Sequence, residues 1–325
     1  MPRRPRWKNW SMAEHFANVS VVMPAYNNAD SVGRALASVA FQTFKPAEVI
    51  VVDDGSTDAT IEAVRAMAPA MNGIRLRLFH QRNSGAGAAR NRAIAAATAT
   101  WLAFLDADDE WLPAKVEHSL TVTEEKGLLM SPHNLFGVDK SGDYLIDSRA
   151  RWLTDPGQPY RSLFLRGFIS SSTVLVRRDL VVSAGGFDTT LRSAQDYELW
   201  LAVLAEIGDR FEIFSEPLLR YTLAPDGITS RIDRKLACSL AILRRHMGIL
   251  KRLPGPVLAP VLLRLLIIHR EAVQGHRTRG DWAGVARQLA LLPWRLVDTL
   301  ARLSSADGAR PDYLAQLPQA EEIAL

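Results

Sequence analysis

Between Val19 and Leu105, short β-branched runs alternate with longer stretches of helical spacing, as expected of βαβ units. Val19-Ser20-Val21-Val22-Met23 reads as a buried strand stopped by Pro24. Asp30 or Ser31 then caps a helix whose apolar positions Val32, Leu36, Val39 and Ala40 fall three or four apart. Glu48 to Val52 is the next strand and runs into Asp53-Asp54-Gly55-Ser56; Ser56 or Thr57 caps a helix carrying Ile61, Val64 and Met67. Ile74 to Phe79 reads as a third strand, Gly87 to Thr98 as an alanine-rich helix and Trp101 to Leu105 as a fourth strand. Parallel strands joined by right-handed crossovers put their trailing loops along one sheet edge, where open α/β sheets bind ligands.

Beyond Pro113 the periodicity weakens. Residues 131–167 read as loops and short strands around a site rim, followed by a strand at Ser170 to Arg177 and an amphipathic helix at Asp196 to Ile207. From about residue 230 the pattern predicts three helices, near 231–250, 257–274 and 281–303, and the last twenty or so residues carry no strong pattern.

The 325 residues amount to about two average domains. With 48% hydrophobic and 23% charged residues the chain reads as folded and soluble. Cys238 is the single cysteine, which excludes an intramolecular disulfide or a cysteine-rich zinc site and fits a reducing cytoplasm. The longest strongly apolar stretch, Ala93 to Leu105, is too short to span a bilayer, and the basic cluster Arg3, Arg4, Arg6 and Lys8 lacks the apolar continuation of a secretory signal. The net charge of +4 is unevenly held: residues 231–300 carry 13 Lys/Arg against 4 Asp/Glu, a net of +9. Such a region suits an anionic membrane surface, a nucleic acid or an acidic partner, or is simply a solvated helix face.

Three acidic groups carry candidate chemistry. A carboxylate of Asp53-Asp54 at a strand end can accept from a nucleobase or ribose, although Asp-Gly-Ser is also an ordinary turn and helix cap. Asp106-Ala107-Asp108-Asp109 follows an apolar strand, and carboxylates crowded there suit a hard divalent cation with a diphosphate as co-ligand, or else form a solvated acidic loop. Asp196, at a helix start, is either a helix cap or a general base. Gly85-Ala86-Gly87-Ala88-Ala89-Arg90 fails as a dinucleotide fingerprint: Arg90 holds the sixth position and the loop follows the third strand. No Walker-type loop occurs, so hydride transfer and P-loop chemistry are disfavoured.

Taken in order, Val19 to Asn28, Val51 to Asp58, Asn83 to Asn91, Phe104 to Asp109, and Gly185-Gly186-Phe187-Asp188 with Gln195 to Trp200 resemble the family-2 glycosyltransferases of GT-A fold over about residues 19–230. The resemblance implies an α/β fold with a mixed nucleotide-sugar-binding sheet flanked by helices. It divides the chain into a basic tail (1–18), a transferase domain (19–230) and a basic helical region (231–325). It implies an inverting transfer from a nucleoside diphosphate sugar to a hydroxyl, on a saccharide or lipid-linked acceptor, in cell-surface polysaccharide or glycoconjugate assembly. Pro24, Ala25, Tyr26 and Asn27 match the loop that lines the base, Asp54 with Asp53 beside it the base-binding carboxylate, Asp106 the ribose-facing end of the DxD motif, and Asp108 the end that meets Mg²⁺ or Mn²⁺. Asp196 matches the general base.

Two departures stand out. Gln195 replaces the family's usual Glu, and Ala224 stands near a position where many members have a histidine; Arg220 is the substitute cation there. His133 reads as a packing or rim residue. Other readings are a non-catalytic nucleotide-sugar-binding partner subunit and a sugar-phosphate nucleotidyltransferase, though the latter would need a glycine-rich basic loop after the first strand. No nucleic-acid partner is expected. The apolar faces Val257, Leu258, Val261, Leu262, Leu265 and Leu266, with Arg264 and Arg270, point to peripheral contact with the inner membrane face, or to packing on the catalytic domain or in a homodimer.

Overall fold

The computed structural model describes residues 16–139, 142–153, 157–222 and 232–325. The N-terminal basic cluster and Ala224 lie outside the described residues.

The expected βαβ run is present as β1 (Ala17–Ala25), α1 (Val32–Ala40), β2 (Pro46–Asp53), α2 (Thr60–Met67), β3 (Arg75–Gln81), α3 (Ala86–Ala96) and β4 (Trp101–Phe104). β3, β2, β1 and β4 lie parallel and side by side. Their apolar runs are buried on both faces, as a helix-covered parallel sheet requires. Two local expectations fail. β1 continues through Pro24, paired with Val52, because a proline at a strand's end costs the ladder only one donor. Neither Ser56 nor Thr57 caps α2; its N-cap is Ala59, and Asp58 Oδ1 accepts from the Thr60 amide at 3.1 Å instead.

After β5 (Glu110–Trp111) and α4 (Lys115–Lys126), residues 131–167 are more regular than their pattern implied. They hold β6 (Met130–Ser131, which starts just before), the hairpin β7 (Leu135–Asp139) and β8 (Gly142–Ile146), and two short helices, α5 (Ser148–Trp152) and α6 (Pro159–Arg166). The strand expected at Ser170 to Arg177 is a 3₁₀ turn at Ser171–Thr173 and then β9 (Leu175–Arg177). α7 (Arg178–Ser183), α8 (Gln195–Ile207) and β10 (Leu219–Thr222) complete this part, with β5, β10, β7 and β8 forming a second sheet. His133 is fully buried against Phe214, which fits packing.

Three long helices follow: α9 (Ile232–Arg252), α10 (Leu258–Thr278) and α11 (Trp282–Leu303). Leu236, Ile242, Leu243 and Met247 of α9, with Val261, Leu265 and Ile268 of α10, belong to the same buried cluster as Trp200 and Phe187. The basic region thus shares a core with the sheet. Arg264 does not face outward: it is buried, stacks on the Tyr197 ring and donates to the Leu165 carbonyl at 3.0 Å. The chain end also departs from expectation. β11 (Ala320–Ile323) adds an antiparallel edge to β3, giving the order β11-β3-β2-β1-β4-β9-β6, and Arg77 donates to Glu322 at 2.7 Å. A four-residue edge strand with no buried residue is too short to leave a periodic signal. Among the described residues no helix is long and apolar enough to cross a membrane.

Candidate active site

Register sets the site. Ala25 pairs with Asp53 and Val22 with Phe104, so the loops after β1, β2 and β4 leave the same edge of the sheet and meet the N-terminus of α8. Between them is a cavity of about 630 Å³. Its wall includes Pro24 and Ala25 at the end of β1, Tyr26 and Asn28 after it, Asp54 after β2, and Asn83 to Ala86 at the entry to α3. Arg90, Asp106, Asp108 and Asp196 complete the acid-rich side.

Gly55 (φ +76°) lies so close to the Asn83 amide that a Cβ would meet it at 2.8 Å. That approach lets Asp54 take three hydrogen bonds from the neighbouring loop: Gln81 Nε2 at 2.7 Å, the Ser84 amide at 2.9 Å and the Gly85 amide at 2.7 Å. Its carboxylate shapes one wall of the cavity. Asp53 lies off that wall, fully buried, with Oδ2 2.7 Å from His80 Nδ1. Asn27, exposed, does not line the cavity either: its amide donates to Ser56 Oγ at 2.9 Å and its Oδ1 accepts from the Thr57 amide at 2.8 Å. The next residue, Asn28, reaches the cavity instead. Arg220 is elsewhere, paired with Asp143 across the second sheet at 2.9 Å.

The acidic loop after β4 is held from below by Ser172, whose hydroxyl accepts from the Asp106 amide at 3.1 Å and donates to Asp109 Oδ2 at 2.7 Å. Asp109 also accepts from the Thr222 amide at 3.1 Å and is fully buried, so its role is to fasten the loop. Burial and the neighbouring Asp106 push its carboxyl well above the usual range. Asp108 is raised too, first by burial and then by Asp106, with Arg90 opposing. Arg90 Nη2 donates to Asp106 Oδ1 at 2.5 Å, and the guanidinium lies over the Phe187 ring. Burial pulls Arg90 down, but Asp106, Asp196 and Asp108 outweigh it and hold it above its ordinary value.

α8 begins at Gln195 after Ala194, which takes a left-handed φ of +59°. α3 approaches this turn closely; a Cβ on Gly87 would meet the Gln195 amide group at 2.9 Å. Asn91 ties the same helix to the 185–188 turn, exchanging bonds of 2.9 and 2.7 Å with Phe187. Asp196 accepts from the Tyr197 amide at 2.8 Å. Burial raises its carboxyl, while Arg90 and that amide pull the other way. A carboxylate poised higher than usual, beside a cation and facing a cavity, is equipped to take a proton.

Sequence reasoning had no role for Arg90, Ser172, Arg192 or Arg234, of which all but Ser172 line the cavity. In the sequence Arg90 stands within the Asn83–Asn91 motif and breaks a dinucleotide fingerprint, with no site role of its own. No cluster of three His, Cys, Asp or Glu side chains arranged to hold a metal occurs among the described residues.

The succinoglycan biosynthesis protein ExoO of Rhizobium meliloti is 34% identical over 251 residues, covering 70% of this chain and 69% of that one. The amylovoran biosynthesis glycosyltransferase AmsB of Erwinia amylovora is 31% identical over 212 residues, covering 62% and 68%. By contrast the chain spans only 29% of the length of an uncharacterized glycosyltransferase of Rickettsia bellii to which it is 32% identical over 202 residues. In fold, it is similar to the crystal structure of S. aureus TarS 1-349 in complex with UDP-GlcNAc, with a TM-score of 0.64 and 21% identity, covering 92% of this chain and 83% of that one. The mixed sheet with its flanking helices is that of GT-A glycosyltransferases. The family model for glycosyl transferase family 2 matches residues 20–179, which include the acidic loops after β2 and β4, and with the two biosynthetic relatives it establishes that this chain belongs to that family.

Proposed function

We propose that the chain transfers a sugar, with inversion, from a nucleoside diphosphate sugar to a hydroxyl of a saccharide or lipid-linked acceptor in polysaccharide assembly. The observation that carries this reading is the convergence of Asp106, Asp108 and Asp196, from two distant parts of the sequence, on one cavity beside Arg90. The names of ExoO and AmsB support the polysaccharide setting, and the UDP-GlcNAc on TarS supports the donor class.

In this reading Pro24, Ala25, Tyr26 and Asn28 line the base, with Asn27 and Asp53 bracing their loops and Asp54 shaping the loop before α3. Asp106 faces the ribose under the control of Arg90. Asp196 accepts the acceptor's O–H proton; the freed oxygen bonds to the anomeric carbon from the face opposite the diphosphate. The bond from that carbon to the diphosphate oxygen breaks, and the nucleoside diphosphate leaves. Arg220, committed to Asp143, stays outside the donor set.

Asp108, a half-buried carboxylate raised by its neighbour Asp106, fits a Mg²⁺ or Mn²⁺ ion that draws its remaining ligands from phosphates and water, as magnesium sites with one or two protein carboxylates do. Such an ion, when bound, supplies counter-charge to the diphosphate. Residues 19–230 form the transferase unit in this reading, and the basic region 231–325 brings it to the inner face of the membrane. The test is a thermal-shift screen of nucleotide sugars with and without Mn²⁺, followed by assay for released nucleoside diphosphate. Stabilisation by one donor together with its turnover would support the reading. A stabilising donor that is never turned over would instead favour a non-catalytic binding subunit.

A further inference from the structure

The part of the cavity contributed by residues 189–196 and the first turn of α9 carries the positive charge of Arg192 and Arg234. Arg90 is committed to Asp106, whereas Arg192 and Arg234 line the same cavity with no carboxylate, carbonyl or hydroxyl partner among the described residues. Both are anchored by their neighbours. Buried Leu191 lies beside Arg192, and the Leu191 carbonyl accepts from Gln195 Nε2 at 2.5 Å. Next to Arg234, Asp233 is held by Arg287 at 2.7 Å, which fixes the first turn of α9. Two guanidiniums brought to one concavity from separate elements repel each other until an anion joins them. Thr189, Ser193 and Gln195 add hydroxyl and amide groups to the same wall, suited to saccharide hydroxyls.

We infer that the acceptor is an anionic glycoside, whose phosphate, diphosphate or carboxylate is gripped by Arg192 and Arg234 while its free hydroxyl lies at Asp196. The inference rests on the transferase reading and names the substrate class of that site. The acceptor is assigned here, in preference to the donor, because Arg192 lies four residues before the base on the segment that delivers it. The donor's phosphates would take their counter-charge from the divalent cation that Asp108 is placed to hold. Guanidinium forks read phosphate and carboxylate with two parallel hydrogen bonds, so the pair would select for anionic acceptors as well as bind them. The anionic group is unchanged in the reaction, which moves only the acceptor proton and the bond at the anomeric carbon.

The experiment uses the full chain with matched acceptors: a neutral alkyl glycoside, its uronate, and a polyprenyl diphosphate-linked glycoside of the same sugar. Wild-type protein should prefer the charged acceptors, and which of the two it prefers separates an acidic glycan from a lipid-linked one. Arg192→Gln with Arg234→Gln should raise the KM for the charged acceptor by about tenfold or more while the donor KM holds, and Arg192→Lys should recover part of the loss. Equal use of charged and neutral acceptors overturns the inference, as does a rise in donor KM in place of acceptor KM. Absence of nucleoside diphosphate release from every donor would sink the transferase reading alone. In that event binding of the uronate and its neutral twin, followed by NMR titration, still decides the anion site: tighter uronate binding that the double variant abolishes upholds it, and equal binding overturns it.

Discussion

Arg310 Nη2 donates to Glu198 Oε2 at 2.6 Å, fastening the C-terminal tail to α8 two residues beyond Asp196. Glu198 is fully buried and also accepts from Arg245 at 2.8 Å, which in turn reaches Asp188 at 2.7 Å. Burial alone would raise the Glu198 carboxyl, yet it is held far below its usual range. Burial also keeps the adjacent His246, whose Nε2 lies 3.7 Å from Glu198, below its ordinary value, so the imidazole stays neutral and the two arginines supply the charge. Part of the basic excess after residue 230 is therefore spent inside the molecule, holding the helix that presents Asp196.

Removing one partner of this buried cluster strands the others. Arg310→Ala or Glu198→Gln should destabilise the fold by about 3 kcal/mol, read by denaturant unfolding. Because the folded-state carboxyl is depressed, its contribution is complete above the ordinary glutamate range and is lost as pH falls through and below it. Glu198→Gln should therefore flatten the acid limb of the stability curve. An unchanged acid limb would show that Glu198 is not the group responsible.

The strand-and-loop half of the site was legible because short continuous apolar runs ending in Asp-Asp-Gly-Ser and Asp-Ala-Asp-Asp specify both strand and exit loop. Asp54 and Asp106 lie where that pattern put them. Asp53, next to Asp54, turns to the other face of the strand end, as alternation demands, and Arg220 is captured by Asp143 on a strand with no readable register in the sequence. Ser172, Arg192 and Arg234 reach the site's loops and cavity only through tertiary folding of irregular segments and a distant helix. Glu198 shows the same limit: a glutamate on an amphipathic helix reads as solvent-facing until Arg245 and Arg310 arrive from elsewhere.

Asp196→Asn keeps the size of the side chain and removes the proton acceptor. Transfer should fall by about a hundred- to ten-thousand-fold with donor affinity nearly unchanged. Since burial raises the wild-type carboxyl, activity should decline on acidification at a higher pH than for an exposed aspartate. Arg90 opposes that rise, so Arg90→Gln should move the acid limb upward in pH. A pH–rate profile that does not respond to Arg90→Gln would separate Asp196 from the titration.

Asp108→Ala should weaken nucleotide-sugar binding and abolish any response to Mn²⁺ or Mg²⁺, since the diphosphate loses its counter-charge. Chelator should reproduce the defect in the wild type and add nothing in the variant. Full activity in excess chelator would transfer the neutralising role to Arg90, the cation on the cavity wall beside Asp106 and Asp108.

The outer face of α11 is apolar from end to end: Trp282, Leu289, Trp294, Val297 and Leu300 are 46% to 70% exposed, and Pro293 lies inside the helix on that face. Burial of the opposite side is slight, with Gly284, Gln288 and Thr299 the buried residues of this helix. On α10, Leu258, Leu263 and Leu266 are about half exposed. Arg270 and Arg277 follow on that helix, exposed and without a carboxylate partner among the described residues. Apolar side chains beside unpaired cations match an anionic bilayer surface, where tryptophan settles at the headgroup level and each nearby cation adds about 1 kcal/mol. Full-length protein should therefore float with anionic vesicles and not with neutral ones. The attraction should weaken as salt rises over the Debye range. Trp282→Ser with Trp294→Ser should abolish flotation without lowering thermal stability, since both side chains lie outside the core. Failure to float at low salt, with a concentration-dependent dimer seen by sedimentation, would show that a second copy covers this face instead.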